Sequence, residues 1–179
     1  SLGTRETPFF NEMLSFMELV DEPSVIFPYK KNNIKINGYF YDEEINALSL
    51  YVVDYDIDFD ADVLPEISKT NITEIANQAK RFYTNSNGIY HNSTEGVEFR
   101  EVAKFINDYK SEISEIDIYV LTTKFYLTNK PIDISIPGVE TVNVHIWDMD
   151  RVYLLSEAEQ GIREFEVEFS EPIEMMLVP

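Results

Sequence analysis

The chain has 179 residues, and 14 lysines and arginines against 33 aspartates and glutamates give it a formal charge of −19. A surface this acidic repels a phosphate backbone, so direct nucleic-acid binding is not expected. The absence of cysteine excludes disulfides, thiolate catalysis and cysteine-type zinc sites.

The first predicted element is an amphipathic helix. Apolar residues recur at helical spacing over Phe9–Val20, and Thr7 and Pro8 suit a cap and first turn. Residues 24–33, which contain Pro28 and a small basic cluster, are expected to be irregular. A helix and a loop therefore precede the stretch around which the chain is organised.

That stretch is a β-hairpin predicted over residues 34–58. Its strands are marked by alternating apolar residues at 34–41 and 48–53, and the acidic segment between them makes the turn. Gly38 interrupts the first strand, which is typical of a bulge or a close backbone approach. Because two strands alone are marginal in water, the rest of the chain is expected to cover this hairpin.

A row of alternating aspartates follows the hairpin, and an extended chain places all five on one face. A cation site is one interpretation, but the calcium-loop pattern requires glycine where Phe59 stands. The favoured interpretation is a solvated strand edge that its charge protects from pairing. The row consists of Asp54, Asp56, Asp58, Asp60 and Asp62.

The second half alternates between helices and strands. Helices are predicted over Thr70–Tyr83, capped by Thr70 or Asn71, and over Val97–Ile113, with a turn and polar loop between them. The continuous apolar run Ile116–Thr123 predicts a strand buried on both faces. After a loop at residues 130–140, the pattern predicts a strand at Val142–Trp147, a short helix opened by Asp148, and a strand at Phe165–Phe169.

This order of elements predicts a mixed α+β fold, with a central mixed sheet flanked by helices. The length suits a single domain over residues 1–179. No apolar run reaches membrane-spanning length and no secretory signal pattern is visible, so a cytoplasmic location without a membrane segment is expected.

Few residue constellations carry recognisable chemistry. His91 and His145 lie far apart, and His145, inside a predicted strand, is expected to be a packed or hydrogen-bonded core residue rather than a ligand. The glycine-rich nucleotide-binding patterns and the serine-hydrolase elbow are absent from the sequence. No cofactor is therefore expected.

Several segments, in order, resemble the N-terminal domain of abortive infection phage resistance proteins. They are FFNEMLSFMELV, IKINGYFYDEEINALSLYVVDY, the helix ending in KRFY, IDIYVLTTK and VHIWDMDRVYLL. The resemblance implies a restriction-endonuclease-like fold. It also implies that the chain is the N-terminal module of a longer protein.

The resemblance further implies where a nuclease site belongs. An active member of that fold carries an acid on the first hairpin strand, and an acid or glutamine followed two residues later by lysine on the second, to hold a metal and orient water. Here those positions hold Asn37, Val52 and Asp54, and only Glu12 on the first helix matches an acid sometimes found there. The site is therefore expected to be degenerate, with no catalytic residue and no metal.

Three functions follow as expectations. The first is a non-catalytic module that acts in interaction or regulation, with the downstream region of the same full-length protein or another protein as partner. The second is a metal-dependent nuclease with a rearranged site, in which Asp42 and the turn acids Glu43 and Glu44 join Asp54. It would be approached along a basic path of Lys30, Lys31, Lys35, Lys80 and Arg81. The third is an acidic protein-binding module.

Overall fold

The computed structural model describes residues 3–17, 22–56, 65–151, 154 and 157. Helices in this part of the chain alternate with strands in the mixed α+β order that the sequence predicts. The helices are α1 (Gly3–Met17), α2 (Lys69–Thr84), α3 (Ser86–Asn92) and α4 (Glu98–Tyr109). The strands are β1 (Ser24–Lys31), β2 (Ile34–Asp42), β3 (Ala47–Asp54), β4 (Glu115–Thr122) and β5 (Thr141–Trp147).

The described strands form one mixed sheet in the order β1-β2-β3-β4-β5. Strands β1, β2 and β3 pair antiparallel through short turns, whereas β3, β4 and β5 run parallel. Parallel pairing of β3 with β4 requires a long crossover, which α2, α3 and α4 supply. The predicted central mixed sheet flanked by helices is confirmed.

Each face of the sheet packs against helices, and this makes two apolar cores. The larger core joins the sheet to α2, α3 and α4, and includes Leu48, Leu50, Val52, Ile118 and Phe82. The smaller core lies under α1 and includes Phe10, Met13, Tyr51, Val53 and Trp147. Burial from both sides accounts for the nearly continuous apolar run of β4.

Gly38 marks an irregular point in β2. Ile36 and Tyr39 pack against the same core although they are three positions apart, an odd number, so the strand's alternation slips by one residue between them. A Cβ at Gly38 would lie 2.7 Å from a ring carbon of Phe10 and 2.9 Å from the carbonyl oxygen of Ser24. The predicted close backbone approach is confirmed, because only glycine lets α1 sit this close to β2.

Two local predictions about the first half of the chain were wrong. Residues 24–31 form β1 instead of an irregular segment, and Pro28 lies where the register shifts between Val25 and Tyr29. A proline is tolerated at such an irregularity because its missing N–H leaves no broken ladder bond. Helix α1 begins at Gly3 and contains Pro8, whereas the sequence placed its start near Thr7.

The region around α3 also differs from prediction. The cap of α2 is Ser68, whose hydroxyl oxygen accepts the backbone N–H of Asn71 at 3.1 Å. The predicted loop after α2 forms α3, because Ile89 is buried and Ser86 donates a hydrogen bond of 2.6 Å to Asn107 of α4. These contacts come from distant sequence and leave no local periodicity to read.

Asp148 opens a helical stretch after β5, as predicted. Its two carboxylate oxygens accept the backbone N–H groups of Arg151 at 3.0 Å and Tyr126 at 2.7 Å. The first bond caps the new helix, and the second ties it to the loop that follows β4. The strand predicted at residues 165–169 lies outside the described residues.

Candidate functional site

The expected nuclease-like position lies at one end of the sheet, where β3 and β4 finish and β2 begins. Asp54 ends β3 beside Thr122, the last residue of β4. Because β2 runs antiparallel to β3, the first residues of β2 lie at the same end. We call this region the sheet mouth, and its polar residues are Glu6, Lys35, Asn37, Asp54, Thr122 and Lys124.

A buried ion pair fixes α1 to the sheet mouth. The ammonium group of Lys35 donates to Oε1 of Glu6 at 2.6 Å and to the carbonyl oxygen of Val53 at 2.6 Å. The two side chains are only 6% and 2% exposed. Burial lowers the pKa of Lys35, and the neighbouring Glu6 carboxylate opposes that change.

Asn37 completes this network from the same strand as Lys35. Its amide nitrogen donates to Oε2 of Glu6 at 2.7 Å, and its amide oxygen accepts the backbone N–H of Val53 at 2.9 Å. Both oxygens of Glu6 are therefore engaged by side chains of β2. Asn37 also takes the place of a strand-to-strand backbone bond, because the β2–β3 register ends at the Gly38–Tyr51 pair.

A second ion pair holds Asp54. Its Oδ2 accepts a hydrogen bond from the Thr122 hydroxyl at 2.8 Å and lies 3.1 Å from the ammonium of Lys124. The Thr122 oxygen in turn accepts the backbone N–H of Lys124 at 3.1 Å. Asp54 is thus half-buried in an intramolecular pair, and is not the free first member of a charged row. Asp58, Asp60 and Asp62 of that row lie outside the described residues.

The other predicted nuclease positions are dispersed. Val52 is fully buried in the larger core and does not enter the hydrogen-bond network. Glu12 is exposed on α1 and lines a cavity of about 320 Å³ with Arg5, Tyr55 and Thr123. Of the four predicted positions, the structure brings Asn37 and Asp54 to the mouth and leaves Val52 and Glu12 outside its polar contacts.

The weaker metal candidates do not meet. Asp42 pairs with Ala47 at the start of β3, so it lies about 23 Å from Asp54 at 3.3 Å per residue. Its carboxylate accepts the backbone N–H of Glu44 at 2.9 Å and so stabilises the turn. Across the described ranges, no three His, Cys, Asp or Glu side chains are grouped to hold a metal ion.

The basic path predicted for a rearranged nuclease is interrupted. Lys35 is buried against Glu6, and Arg81 pairs with Glu74 at 2.7 Å while donating to the Asn33 carbonyl oxygen. Lys30 and Lys31 remain exposed on β1. Lys35 and Arg81 are therefore held by intramolecular partners and do not extend the exposed basic surface that the rearranged-nuclease alternative requires.

His145 is hydrogen-bonded as predicted, but its side chain is 39% exposed and is not a core residue. It lies 2.8 Å from Asp117 and stacks on Tyr119, which itself stacks on Tyr51. Burial alone would raise the pKa of Asp117, but hydrogen bonds from His145 and Asn143 outweigh burial, and the pKa is lowered. His91 is on α3 and packs against Tyr90, away from this cluster's strands.

Sequence reasoning missed Glu6 and Lys124 as partners at the mouth. Glu6 precedes the apolar stripe from which the first helix was predicted, and Lys124 follows β4. The position of Lys35 could have been predicted from the strand alternation, because Lys35 shares a strand face with Asn37 while Ile34 and Ile36 point to the opposite core. The partner of each charge depends on tertiary structure.

The fold and the sheet mouth define a mixed α+β protein in which Glu6 and Asp54 form ion pairs with lysines of the same chain. No described helix has the length and apolar character needed to cross a membrane. The sequence matches the family model for the abortive infection phage resistance protein N-terminal domain over residues 9–154, and the chain belongs to that family. Membership supports a role in phage defence and confirms the resemblance. No curated protein and no solved structure matches the chain, so the restriction-endonuclease-like fold stays a prediction.

Proposed function

We propose that this chain is a cytoplasmic, non-catalytic module of a phage-defence protein, which acts in interaction or regulation. In this proposal it has a restriction-endonuclease-like fold with a degenerate site. Family membership supports the defence context. The observation that carries the non-catalytic part is that Glu6 and Asp54, two described carboxylates at the sheet mouth, are each bound by a lysine of the same chain.

Metal-dependent phosphodiester cleavage needs ionised oxygen ligands with room for a hydrated cation. Both oxygens of Glu6 are engaged, and the neutral amide of Asn37 replaces the acid that the family pattern places on β2. A cation would have to separate the buried pair of Glu6 and Lys35, which leaves a charged group without a partner. These costs disfavour a metal at the mouth.

The proposed partner is the downstream region of the same full-length protein or another protein. The family description of an N-terminal domain supports the first choice. Large apolar side chains at Ile45, Leu127 and Leu154 are 59%, 57% and 59% exposed, and can contribute to a contact surface. The charge of −19 disfavours a nucleic-acid strand and favours a partner with a basic surface.

Manganese titration by calorimetry, with cleavage assays on single- and double-stranded DNA and on RNA, tests the proposal. We expect no stoichiometric Mn²⁺ binding at the mouth and no cleavage above a metal-free blank. Asp54→Asn is the test variant, and Asp42→Asn is its matched control, since it removes one carboxylate at the opposite end of the hairpin.

The second candidate is a metal-dependent nuclease with a rearranged site. The observation that favours it is that Lys35 contacts Glu6 and also feels the charge of Asp54, so two acids and a lysine gather at the mouth. Cleavage that requires Mn²⁺ and is lost in Asp54→Asn but kept in Asp42→Asn would overturn the non-catalytic proposal and establish this one.

A further inference from the structure

A second cavity lies on the other side of the sheet from α1, between the β1–β2 turn and α3. Its volume is about 410 Å³, within the range of small-molecule sites. Lys31 comes from the end of β1, Asn32 from the turn and Asn92 from the end of α3, and Tyr29 and Phe99 form an aromatic wall. We call it the α3 cavity, and a ligand bound there does not depend on the proposed function.

The residues that line the α3 cavity differ in charge from the chain as a whole. The protein carries 33 acidic residues, yet none of the described residues that line the cavity is Asp or Glu. The cation Lys31 lies at its edge and forms no ion pair with another described residue. The cavity therefore suits an anionic group better than the surrounding surface does.

Hydrogen-bonding groups in the α3 cavity are available to a ligand. The side-chain amides of Asn32 and Asn92 make no hydrogen bond to another described residue. The backbone holds Asn32 in place, because Asn32 and Asn33 have φ values of 51° and 59° in a tight two-residue turn. Each amide offers both a donor and an acceptor, which is the pattern that reads the edge of a nucleobase.

The aromatic wall supplies an apolar surface for a planar group. The rings of Tyr29 and Phe99 lie 4.6 Å apart between centroids, and Tyr29 also packs edge-on against the buried Phe82. A tyrosine phenol is neutral at physiological pH, and burial raises the pKa of Tyr29 further. A base placed on such a wall gains stacking or edge contacts without sequence-specific chemistry.

Gly88 gives the second, independent indication of a ligand. It lies inside α3 with no positive φ, and a Cβ built on it would meet no atom within 4 Å. Neither backbone conformation nor packing explains a glycine there, and alanine would favour the helix. A bare backbone on the cavity wall is explained if a ligand approaches it closely.

We propose that the α3 cavity binds a nucleoside monophosphate, with the base against the Tyr29–Phe99 wall and the Gly88 backbone, and the phosphate at Lys31. The edges of the base pair with the amides of Asn32 and Asn92. A free nucleotide is the ligand rather than a nucleic-acid strand, because the chain's charge of −19 disfavours the additional phosphates of a strand.

Calorimetric titration of the whole chain with AMP, GMP, CMP and UMP tests the proposal. We expect at least one monophosphate to bind at a ratio near one, its nucleoside to bind about tenfold more weakly, and inorganic phosphate weaker still. A tetranucleotide should also bind more weakly. No binding by any monophosphate, or equal affinity for phosphate alone, overturns the proposal.

Variants locate the site. Lys31→Gln should weaken binding about tenfold, whereas Lys30→Gln, its exposed neighbour that does not line the cavity, should leave it unchanged. Gly88→Ala and Gly88→Leu should weaken binding in that order as the side chain fills the cavity. Thermal unfolding confirms that each variant is folded. Wild-type affinity in both Lys31→Gln and Gly88→Leu would place the nucleotide elsewhere and overturn the proposal.

Discussion

Lys35 illustrates how much one side chain decides at the sheet mouth. Its ammonium satisfies Glu6 of α1 and the Val53 carbonyl of β3, so one residue joins helix, β2 and β3. A buried charge is tolerated only when its partners are in place, because desolvation costs several kcal/mol per ion. The smaller core under α1 therefore depends on a polar contact as well as on apolar burial.

Breaking this pair from one side should be costly. Lys35→Met leaves Glu6 buried without its cation, and we expect the free energy of unfolding in urea to fall by about 3–5 kcal/mol. The double variant Glu6→Gln/Lys35→Met should recover at least half of that loss, since no buried charge remains and glutamine still accepts from Asn37.

The exposed pair of Arg81 and Glu74 provides the comparison for this measurement. Arg81→Gln should lower the free energy of unfolding by less than about 1 kcal/mol, because water screens that pair. Equal losses for Lys35→Met and Arg81→Gln would contradict the importance assigned to the buried pair.

At this scale the sequence predicted part of the mouth. Asn37 and Asp54 were identified because they occupy positions in a strand pattern, and strand positions can be counted. Glu6 and Lys124 were not, since their roles arise where α1 and the end of β4 meet the hairpin. The order of charges along the sequence does not show which distant segments come into contact.

Among the elements, those with a strong period were predictable. The sequence predicted the bounds of helix α2, helix α4 and the β2–β3 hairpin to within a few residues. Each of them buries one face, so its apolar residues recur at a regular spacing. Strand β1 was missed because Pro28 sits at its irregularity, and α3 because its seven residues hold one large buried side chain, Ile89. Short or interrupted elements carry too little period to be recognised.

Replacing two glycines in different elements by alanine should change the free energy of unfolding in opposite directions. Gly38→Ala places a Cβ 2.9 Å from the Ser24 carbonyl oxygen and 2.7 Å from Phe10, and should destabilise the protein by about 1–3 kcal/mol. Gly88→Ala meets no atom and should stabilise it by about 0.5–1 kcal/mol. Urea unfolding measures both, and a stabilising Gly38→Ala would contradict the close packing of α1 on β2.

For the whole molecule, buried phenols contribute to the response of stability to alkaline pH. Burial, with the nearby Tyr119 and Asp117, raises the pKa of Tyr51 well above its usual value. Above about pH 10 the unfolded chain loses this proton while the folded one keeps it, so stability falls as pH rises. Lys35 acts in the opposite direction. Because its pKa is lowered in the folded chain, the folded chain releases this proton before the unfolded chain does, and this group alone makes the free energy of unfolding rise toward pH 10.5.

Replacing Tyr51 isolates its share of this response. Tyr51→Phe should reduce the loss of unfolding free energy above pH 10 by up to about 1.4 kcal/mol per pH unit, and should change stability little at pH 7. Urea unfolding at pH 7, 10 and 11 measures the difference. Parallel pH profiles for the variant and the wild type would contradict it.

The parallel pairing of β3 with β4 has a consequence for synthesis on the ribosome. Residues 55–114, a span of 60, separate Asp54 from Glu115. At a translation rate of roughly 5–20 residues per second, about 3–12 s pass between the synthesis of β3 and the start of β4, the strand that covers its edge. Until then the nascent hairpin presents an open row of backbone donors and acceptors beside Leu48, Leu50 and Val52, and any neighbouring nascent chain can compete for it.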